Sequence, residues 1–434
     1  MKNKYYKLLC LAFVALFAAC TIEEDDIFGS SSSDRMDAAI SSTIDVLTSE
    51  ENGWLMEYFP GENQPFGGYN VLMKFEKNGT VSISSEVNVT GAADAPTKVS
   101  TSMYVVTQSA GAVLSFDTYN DVFHFFADPG DPSGLGGRGE GLQGDYDFQI
   151  IEAEPGNVVL KGKKSGELST LVPFNEDWTN YIADINAAED LMLFSDLTLT
   201  IDDQAIPVEA SYRVLTITYE ENGGETVKKA SYIVTKTGYK LFEPIEILGK
   251  TITGFTYHKE SDSFTEVNDN NITLNPVIRP FNEVFVDNYW FIAYSKLGEF
   301  AQPYFDDCRE GLEKTYGEKL SYAYFGYEAN SAFGLNFGIE GNLGLMTYKY
   351  TNIGDDKIRM KFNLQGNNVG RWYFEQPETG VYRMLIPFGY DTERTFTITV
   401  DRPAMPTVLT LTEDGNPTNV IMLTTKRVID PFDN

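Results

Sequence analysis

From about residue 53 onward the chain is cut at short, regular intervals by Gly, Pro, Asn and Asp, and between the cuts apolar and polar side chains alternate. Alternation with a period of two is the signature of a strand with one buried face. YNVLMKFEKNGTVSISSEV turns at Asn78-Gly79, RVLTITYEENGGETVKKASYIV at Asn222-Gly223-Gly224, and VLTLTEDGNPTNVIMLTT at Asp414-Gly415-Asn416. Asn-Gly accepts positive φ at both central turn positions, so each pair of runs reads as a hairpin. Many such strands in series predict a mainly β protein of antiparallel meander units, sandwich or barrel and lipocalin-like, with a few short helices. Two units open on a tryptophan strand, at Trp54 and at Trp290.

Three segments have helical spacing instead. Met36, Ile40, Ile44 and Leu47 share a face over residues 34–49, with Ser33 as N-cap. Trp178, Ile182, Ile185 and Met192 do so over 176–192, and Phe305, Cys308, Leu312 and Tyr316 over 303–316. The run PGDPSGLGGRGEGLQGD, residues 129–145, is too rich in Gly and Pro for either pattern and reads as a long surface loop. Pro276 to Pro280 reads as a linker between an N-terminal β-rich domain, 34–275, and a C-terminal one, 281–434. A separate small domain over 195–275 is the alternative organisation. RWYFEQ, from Arg371, reads as one of the C-terminal strands.

The first nineteen residues belong to another kind of object. Lys2, Lys4 and Lys7 precede an apolar run from Leu8 to Phe17 that ends in Phe17-Ala18-Ala19-Cys20. A run this short does not cross a hydrocarbon layer of ~30 Å, but it suits a signal peptide. The small residues before cysteine resemble the lipobox of bacterial lipoproteins, with Phe17 in place of the usual Leu. That resemblance implies cleavage after Ala19 and acylation of Cys20, giving an effectively permanent membrane anchor when two or more chains are present. Glu23, Glu24, Asp25 and Asp26 follow, then a Ser-rich spacer, so that residues 20–33 form an acidic tether. The cluster resembles a surface-export signal, which implies an outer-membrane location facing the exterior; the periplasmic face is the alternative.

The net charge is −30, and −33 once the leader with its three lysines is removed. A body this acidic is repelled by phosphate backbones and anionic lipid headgroups, which argues against nucleic-acid partners. Beyond the leader and Cys20 the chain keeps only Cys308, so no disulfide holds the body together and stability must come from packing.

The strings NGWLMEYFP, GGYNVLMKF, LSFDTYNDVFHFFADP, GDYDFQI, VVLKGKKSG and GYKLFEPIEILGKTI, in that order, resemble the Bacteroidetes lipoprotein family catalogued as domain of unknown function 4302, over roughly Trp54 to Val267. The resemblance implies a surface or periplasmic lipoprotein associated with outer-membrane nutrient importers. It implies no activity and no functional residues.

Common chemistries find little support. His124 and His258 are the only histidines, and H-E-x-x-H, C-x-x-C, G-x-S-x-G and P-loop patterns are absent from the sequence. A serine triad would have to be built on His124 or His258. No cofactor is expected. Asp121, Asp128, Asp131 and Asp145 offer oxygens for Ca²⁺ around the Gly-rich loop, without the spacing of a calcium loop. Acid pairs are too numerous, among 63 acids, to single out a glycosidase pair.

The candidate ligand-binding residues are therefore aromatic and polar. Asp117, Thr118, Tyr119 and Asn120 end a strand just before His124 and are expected to line a barrel mouth. The competing reading is a turn in which Asp and Asn bond their own backbone. Trp372 and Tyr373, after Asn367, Asn368 and Gly370, are the expected exposed aromatics. The function expected is a non-enzymatic binding or accessory lipoprotein for glycan or peptide uptake, working with an importer complex. A glycan hydrolase and a structural or adhesion protein are the alternatives.

Overall fold

A computed structural model describes residues 32–87, 98–109, 111–328, 332–427 and 432. The expected leader, Cys20 and the tether up to Ser31 lie outside the described residues.

Helix α1 (Ser32–Leu47) precedes the first barrel, made of β1 (Trp54–Tyr58), β2 (Tyr69–Phe75), β3 (Thr80–Ser85), β4 (Val99–Ser109), β5 (Gly111–Phe116), β6 (Asp147–Glu154), β7 (Asn157–Gly162) and β8 (Leu168–Pro173). Each strand pairs antiparallel with the next, and β1 closes on β8 with Trp54 opposite Pro173. Helix α2 (Trp178–Met192) follows, its N-terminus capped by the Asp177 carboxylate accepting from the Asn180 amide.

The second barrel runs through β9 (Asp196–Ile201), β10 (Gln204–Ser211), β11 (Val214–Glu221), β12 (Gly224–Thr235), β13 (Gly238–Ile247), β14 (Lys250–His258), β15 (Ser263–Glu266) and β16 (Thr273–Pro276). Helix α3 (Phe281–Asp287) leads into the third: β17 (Trp290–Ile292), β18 (Leu320–Tyr327), β19 (Phe333–Ile339), β20 (Asn342–Ile353), β21 (Lys357–Gly366), β22 (Arg394–Val400), β23 (Val408–Glu413) and β24 (Asn416–Thr424). Its insertions carry α4 (Gln302–Tyr316), α5 (Asn368–Phe374) and α6 (Val381–Met384).

The described residues fall into two compact units. One comprises those of Met1–Leu193, Val208–Tyr257 and Thr265–Asn271; the other comprises those of Phe194–Pro207, His258–Phe264 and Ile272–Asn434.

The three closed barrels are what the alternation dictates. In β11, Leu215, Ile217 and Tyr219 are buried while Thr216 and Thr218 between them face outward. Eight strands leave an interior that side chains fill. Trp54, Met56, Val71, Met73, Phe148 and Leu160 fill the first barrel, and Trp290, Phe325, Leu335, Phe337, Phe396 and Leu411 the third.

The two tryptophans are anchored alike. The Trp54 indole N–H donates to the Leu47 carbonyl at the end of α1 (2.8 Å), and that of Trp290 to the Val284 carbonyl within α3 (3.2 Å). In each case a buried polar edge is satisfied by one of the preceding helix's carbonyls. The antiparallel meander units expected from the sequence are closed barrels, and the segment from Asp196 to Pro276 forms one of them.

Two local expectations are corrected. Helix α1 begins at Ser32, so Ser33 lies within it rather than capping it. RWYFEQ is not a strand, because Arg371 to Phe374 lie in α5. Asn367 caps that helix by accepting from the Gly370 amide (2.7 Å), and Gly370 rests on the β20 backbone, where a Cβ would come within 2.4 Å of the Leu345 carbonyl oxygen. Cap and close approach together outweigh the alternation of a four-residue stretch.

Candidate functional site

The segment from Asp117 to Tyr146 connects the fifth and sixth strands of the first barrel. Its apolar side chains turn into the barrel end, where Phe123, Phe126 and Leu142 are buried among Tyr58, Tyr69 and Phe148. The expected open mouth is thus a stoppered one. Asn120, expected to meet ligand, is fully buried and shapes the turn instead. Its Oδ1 accepts from the Val122 and Phe123 amides, and its Nδ2 donates to the Ser100 carbonyl and to Ser102 Oγ, all at 3.1 Å. This is the turn reading of the motif, and it leaves Asn120 no capacity for a ligand.

Asp117 is exposed, and Thr118 Oγ1 accepts from the Met103 amide (2.8 Å). Tyr119 stays outside, with its ring 5.0 Å from that of His124. Tyr146 also stacks on His124, at 5.7 Å and 15°. The Asn120 amide donates to His124 Nδ1 (3.1 Å), which fixes the neutral ring's proton on Nε2. Burial holds the His124 pKa below its ordinary value.

The aspartates considered for calcium serve separate ends. Asp121 pairs with Lys98, and Asp128 accepts from the Gly130 amide. Asp131 accepts from Ser133 and the Gly136 amide, while buried Asp145 accepts from Ser165 and the Lys164 amide. Among the described residues no three ligating side chains converge on a point where a metal could sit.

In the third barrel the fifth and sixth strands are joined by residues 367–393. Trp372 is outward, 5.5 Å from the Tyr316 ring. Tyr373, expected to be exposed, is buried, and its hydroxyl donates to Glu318 (2.7 Å). The two rings meet edge to face at 4.8 Å, and of the pair only Trp372 leaves ring surface exposed.

With the first and third barrels filled by side chains, concave surface has to be sought on outer walls. A cleft of about 730 Å³ lies against the outer wall of β10 to β13, under the loop after β1. Strand register sets its floor in rows: Glu209, Thr216 and Lys229 are aligned across three strands, and Ser211, Val214 and Ser231 form the next row. Ser231 Oγ donates to the Gln64 carbonyl (2.8 Å), and Phe242 packs edge-on against Phe59 at 4.8 Å. Glu243 and half-exposed Tyr212 complete a lining of hydroxyls, amides, carboxylates, one ammonium and aromatic faces.

The backbone at both lips is unusual. Asn63 and Gln64 have φ of 60° and 49° on one side, and Tyr212 and Arg213 have 51° and 59° on the other. The second pair is a two-residue hairpin turn with both residues left-handed, a place for Asn-Gly rather than for Tyr-Arg. Such conformations persist where surroundings over-determine them.

Arg213 supplies the surroundings. Its guanidinium donates to both Glu189 carboxylate oxygens (2.8 and 2.6 Å), to Glu86 (3.1 Å) and to the Gly68 carbonyl (2.6 Å), and it lies 4.4 Å above the Tyr69 ring. Burial raises the Glu86 pKa, against the opposing pull of Arg213 and the Asn70 amide. Arg213 is held even more firmly protonated than usual: burial opposes its charge, but Glu189 and Glu86 outweigh it. The Asn70 amide side chain, accepting from Tyr181 (3.0 Å) and donating to the Val234 carbonyl (3.0 Å), continues the network. With Arg213 fixed, the preceding residue has one direction left, and Tyr212 projects into the cleft.

Neither Tyr212 nor Arg213 was singled out by sequence reasoning. The available signal was the two-residue gap between the runs QAIPVEAS and VLTITYEE, filled by bulky side chains where turn residues belong.

Three closed up-and-down barrels with a cleft on an outer wall define a class of architecture before they define a family. The chain belongs to the family described as Domain of unknown function (DUF4302), whose model matches residues 24–259. No curated protein matches the sequence. Among solved structures, the beta subunit from DNA polymerase of Streptococcus pyogenes aligns at 10% identity over 91% of this chain and 98% of that one, with a TM-score of 0.11. The DNA polymerase III subunit beta from Pseudomonas aeruginosa aligns at 9% identity over 91% and 96%, with a TM-score of 0.09. Scores this low establish no common fold.

Proposed function

We propose that this protein is a lipid-anchored binding protein of the Bacteroidetes type, held at the outer membrane through Cys20 and facing the exterior, where it captures a glycan for a nutrient importer. The observation that carries the binding reading is the cleft, in which a left-handed Tyr-Arg turn pinned by buried charges presents Tyr212 among rows of hydroxyl, amide and carboxylate groups. Exposed ring faces beside polar side chains suit a sugar, whose C–H face stacks while its hydroxyls hydrogen-bond. A peptide captured by strand addition needs a free sheet edge. Closed barrels offer none among the described residues. The leader, the small residues before Cys20 and the acidic tether support the anchor and the route.

The test is calorimetric titration of the protein with neutral and uronate oligosaccharides, repeated on Tyr212→Ala. Binding that weakens at least tenfold in the variant without a change in melting temperature supports the reading; absence of any saccharide binding sinks it. For the anchor, Cys20→Ser is expected to release the protein from the membrane fraction, and continued attachment refutes acylation. Co-purification of an importer with the tethered protein tests the partnership.

A second reading, glycan hydrolysis, is favoured by one observation, the presence of Glu209 and Glu243 in the same cleft. Release of reducing ends that disappears in Glu209→Gln or Glu243→Gln would replace the non-catalytic reading.

A further inference from the structure

The first and third barrels share a construction that the second lacks. In both, the connection between the fifth and sixth strands is a long insertion, residues 117–146 and 367–393, whereas in the second barrel it is the two-residue turn Leu248-Gly249. Both insertions send apolar side chains into the barrel: Phe123 and Phe126 in one, Val381, Met384 and Phe388 in the other.

Both also carry aromatic rings that the core does not use. Tyr119 is 65% exposed and Tyr146 49%, and both rings neighbour His124. Trp372 is 47% exposed and its neighbour Tyr316 41%. Stoppering a barrel requires none of these rings outside it, and leaving large ring faces in water forgoes the stabilisation of burial. Two insertions of unrelated sequence nevertheless do the same thing at the same topological position.

We propose that these insertions are two saccharide-stacking subsites, separate from the cleft, that take neutral hexose units of a glycan chain. The inference rests on the glycan-binding reading and adds where else the chain is gripped. At the first subsite a pyranose ring stacks on Tyr119 or Tyr146. Its hydroxyls are offered the Nε2–H of half-buried His124, whose tautomer the Asn120 amide sets, and the exposed Asp117 carboxylate as acceptor. At the second, Trp372 and Tyr316 supply the stacking face. Neutral sugars are specified because a body of net charge −30 repels uronates and sulfated chains.

The experiment compares wild type, Tyr119→Ala/Tyr146→Ala, Trp372→Ala and Tyr212→Ala in titrations with neutral hexasaccharides (α-glucan, β-glucan, mannan) and with long chains of the same sugars. Each subsite variant is expected to lose about tenfold in affinity for the long chain, the scale of one aromatic stack. Combining both sets should lose more than either. Tyr119→Phe/Tyr146→Phe, which keeps the rings, should retain binding, and melting temperatures should be unchanged throughout. Wild-type affinities for the long chain retained in both subsite variants, with loss only in Tyr212→Ala, overturn the subsites while leaving the binding reading intact. Preference for the uronate chain overturns the assignment to neutral sugars. No saccharide binding in wild type removes the underlying reading itself.

Discussion

Replacing Arg213 by Met removes a guanidinium that is nearly enclosed, with 10% of its side chain exposed, beside a Glu86 carboxylate that is 1% exposed. The apolar replacement fills similar space, so the chief loss is electrostatic. Glu86 keeps the Asn70 amide as a donor but is left as an uncompensated buried charge. Breaking a buried pair from one side costs about 3–5 kcal/mol. Glu189 contributes less, being 29% exposed and able to turn to water.

The pH dependence has a definite sign. The Glu86 carboxyl already titrates above its ordinary 4.5 in the folded protein. Without Arg213 it titrates higher still, so the folded variant binds a proton that the unfolded chain does not bind until lower pH. The deficit of Arg213→Met is therefore full at neutral pH and shrinks as pH falls through the folded value toward 4.5. Equilibrium urea unfolding at several pH values, followed by circular dichroism, measures it. Arg213→Met/Glu86→Gln should recover most of the loss at neutral pH. A deficit below about 1 kcal/mol at pH 7, or one that does not change with pH, would refute the claim that Arg213 holds a buried charge in place.

Three further outcomes are expected. Truncation of Trp54 to Ala should cost about 3–5 kcal/mol by thermal or urea unfolding, because the indole is fully buried and its N–H satisfies a carbonyl at the end of α1. Asn367→Ala should cost about 0.5–2 kcal/mol through the lost cap, read as a lower melting temperature, with Trp372 fluorescence reporting fraying of α5. Below the ordinary histidine value near 6.5 the unfolded chain takes up a proton before His124 does. Its stabilising contribution is therefore complete above that pH and is lost as pH falls toward the lowered folded value, and His124→Gln should flatten that part of the stability profile.

The strands were legible because each obeys a purely local rule, alternation between turn residues. Trp54, Leu215 and Ile217 are inside for the reason the pattern gives. Closure was not legible, since the pairing of Trp54 with Pro173 joins residues whose patterns say only that both are strand. Helix α5 was misread because four residues carry too little periodicity to compete with a cap and a glycine seat that are visible only in three dimensions. The ligand-site reading named the Asp117 to His124 segment and could not give its geometry. Tyr119 and His124 do meet, Asn120 turns inward, and the third ring comes from Tyr146, twenty-two residues further along the chain than His124. The cleft was invisible for the same reason, as its residues come from a loop and four strands whose adjacency is set by barrel register.

Because every barrel ends beside its own beginning, the start of β1 lies next to the finish of β8, that of β9 next to that of β16, and that of β17 next to that of β24. Tension applied along the polypeptide therefore reaches each module at one seam and in antiparallel sense, loading its hydrogen bonds one after another as in a zipper rather than all together in shear. Each such seam is expected to open at lower force by peeling than it would in shear, which single-molecule pulling measures.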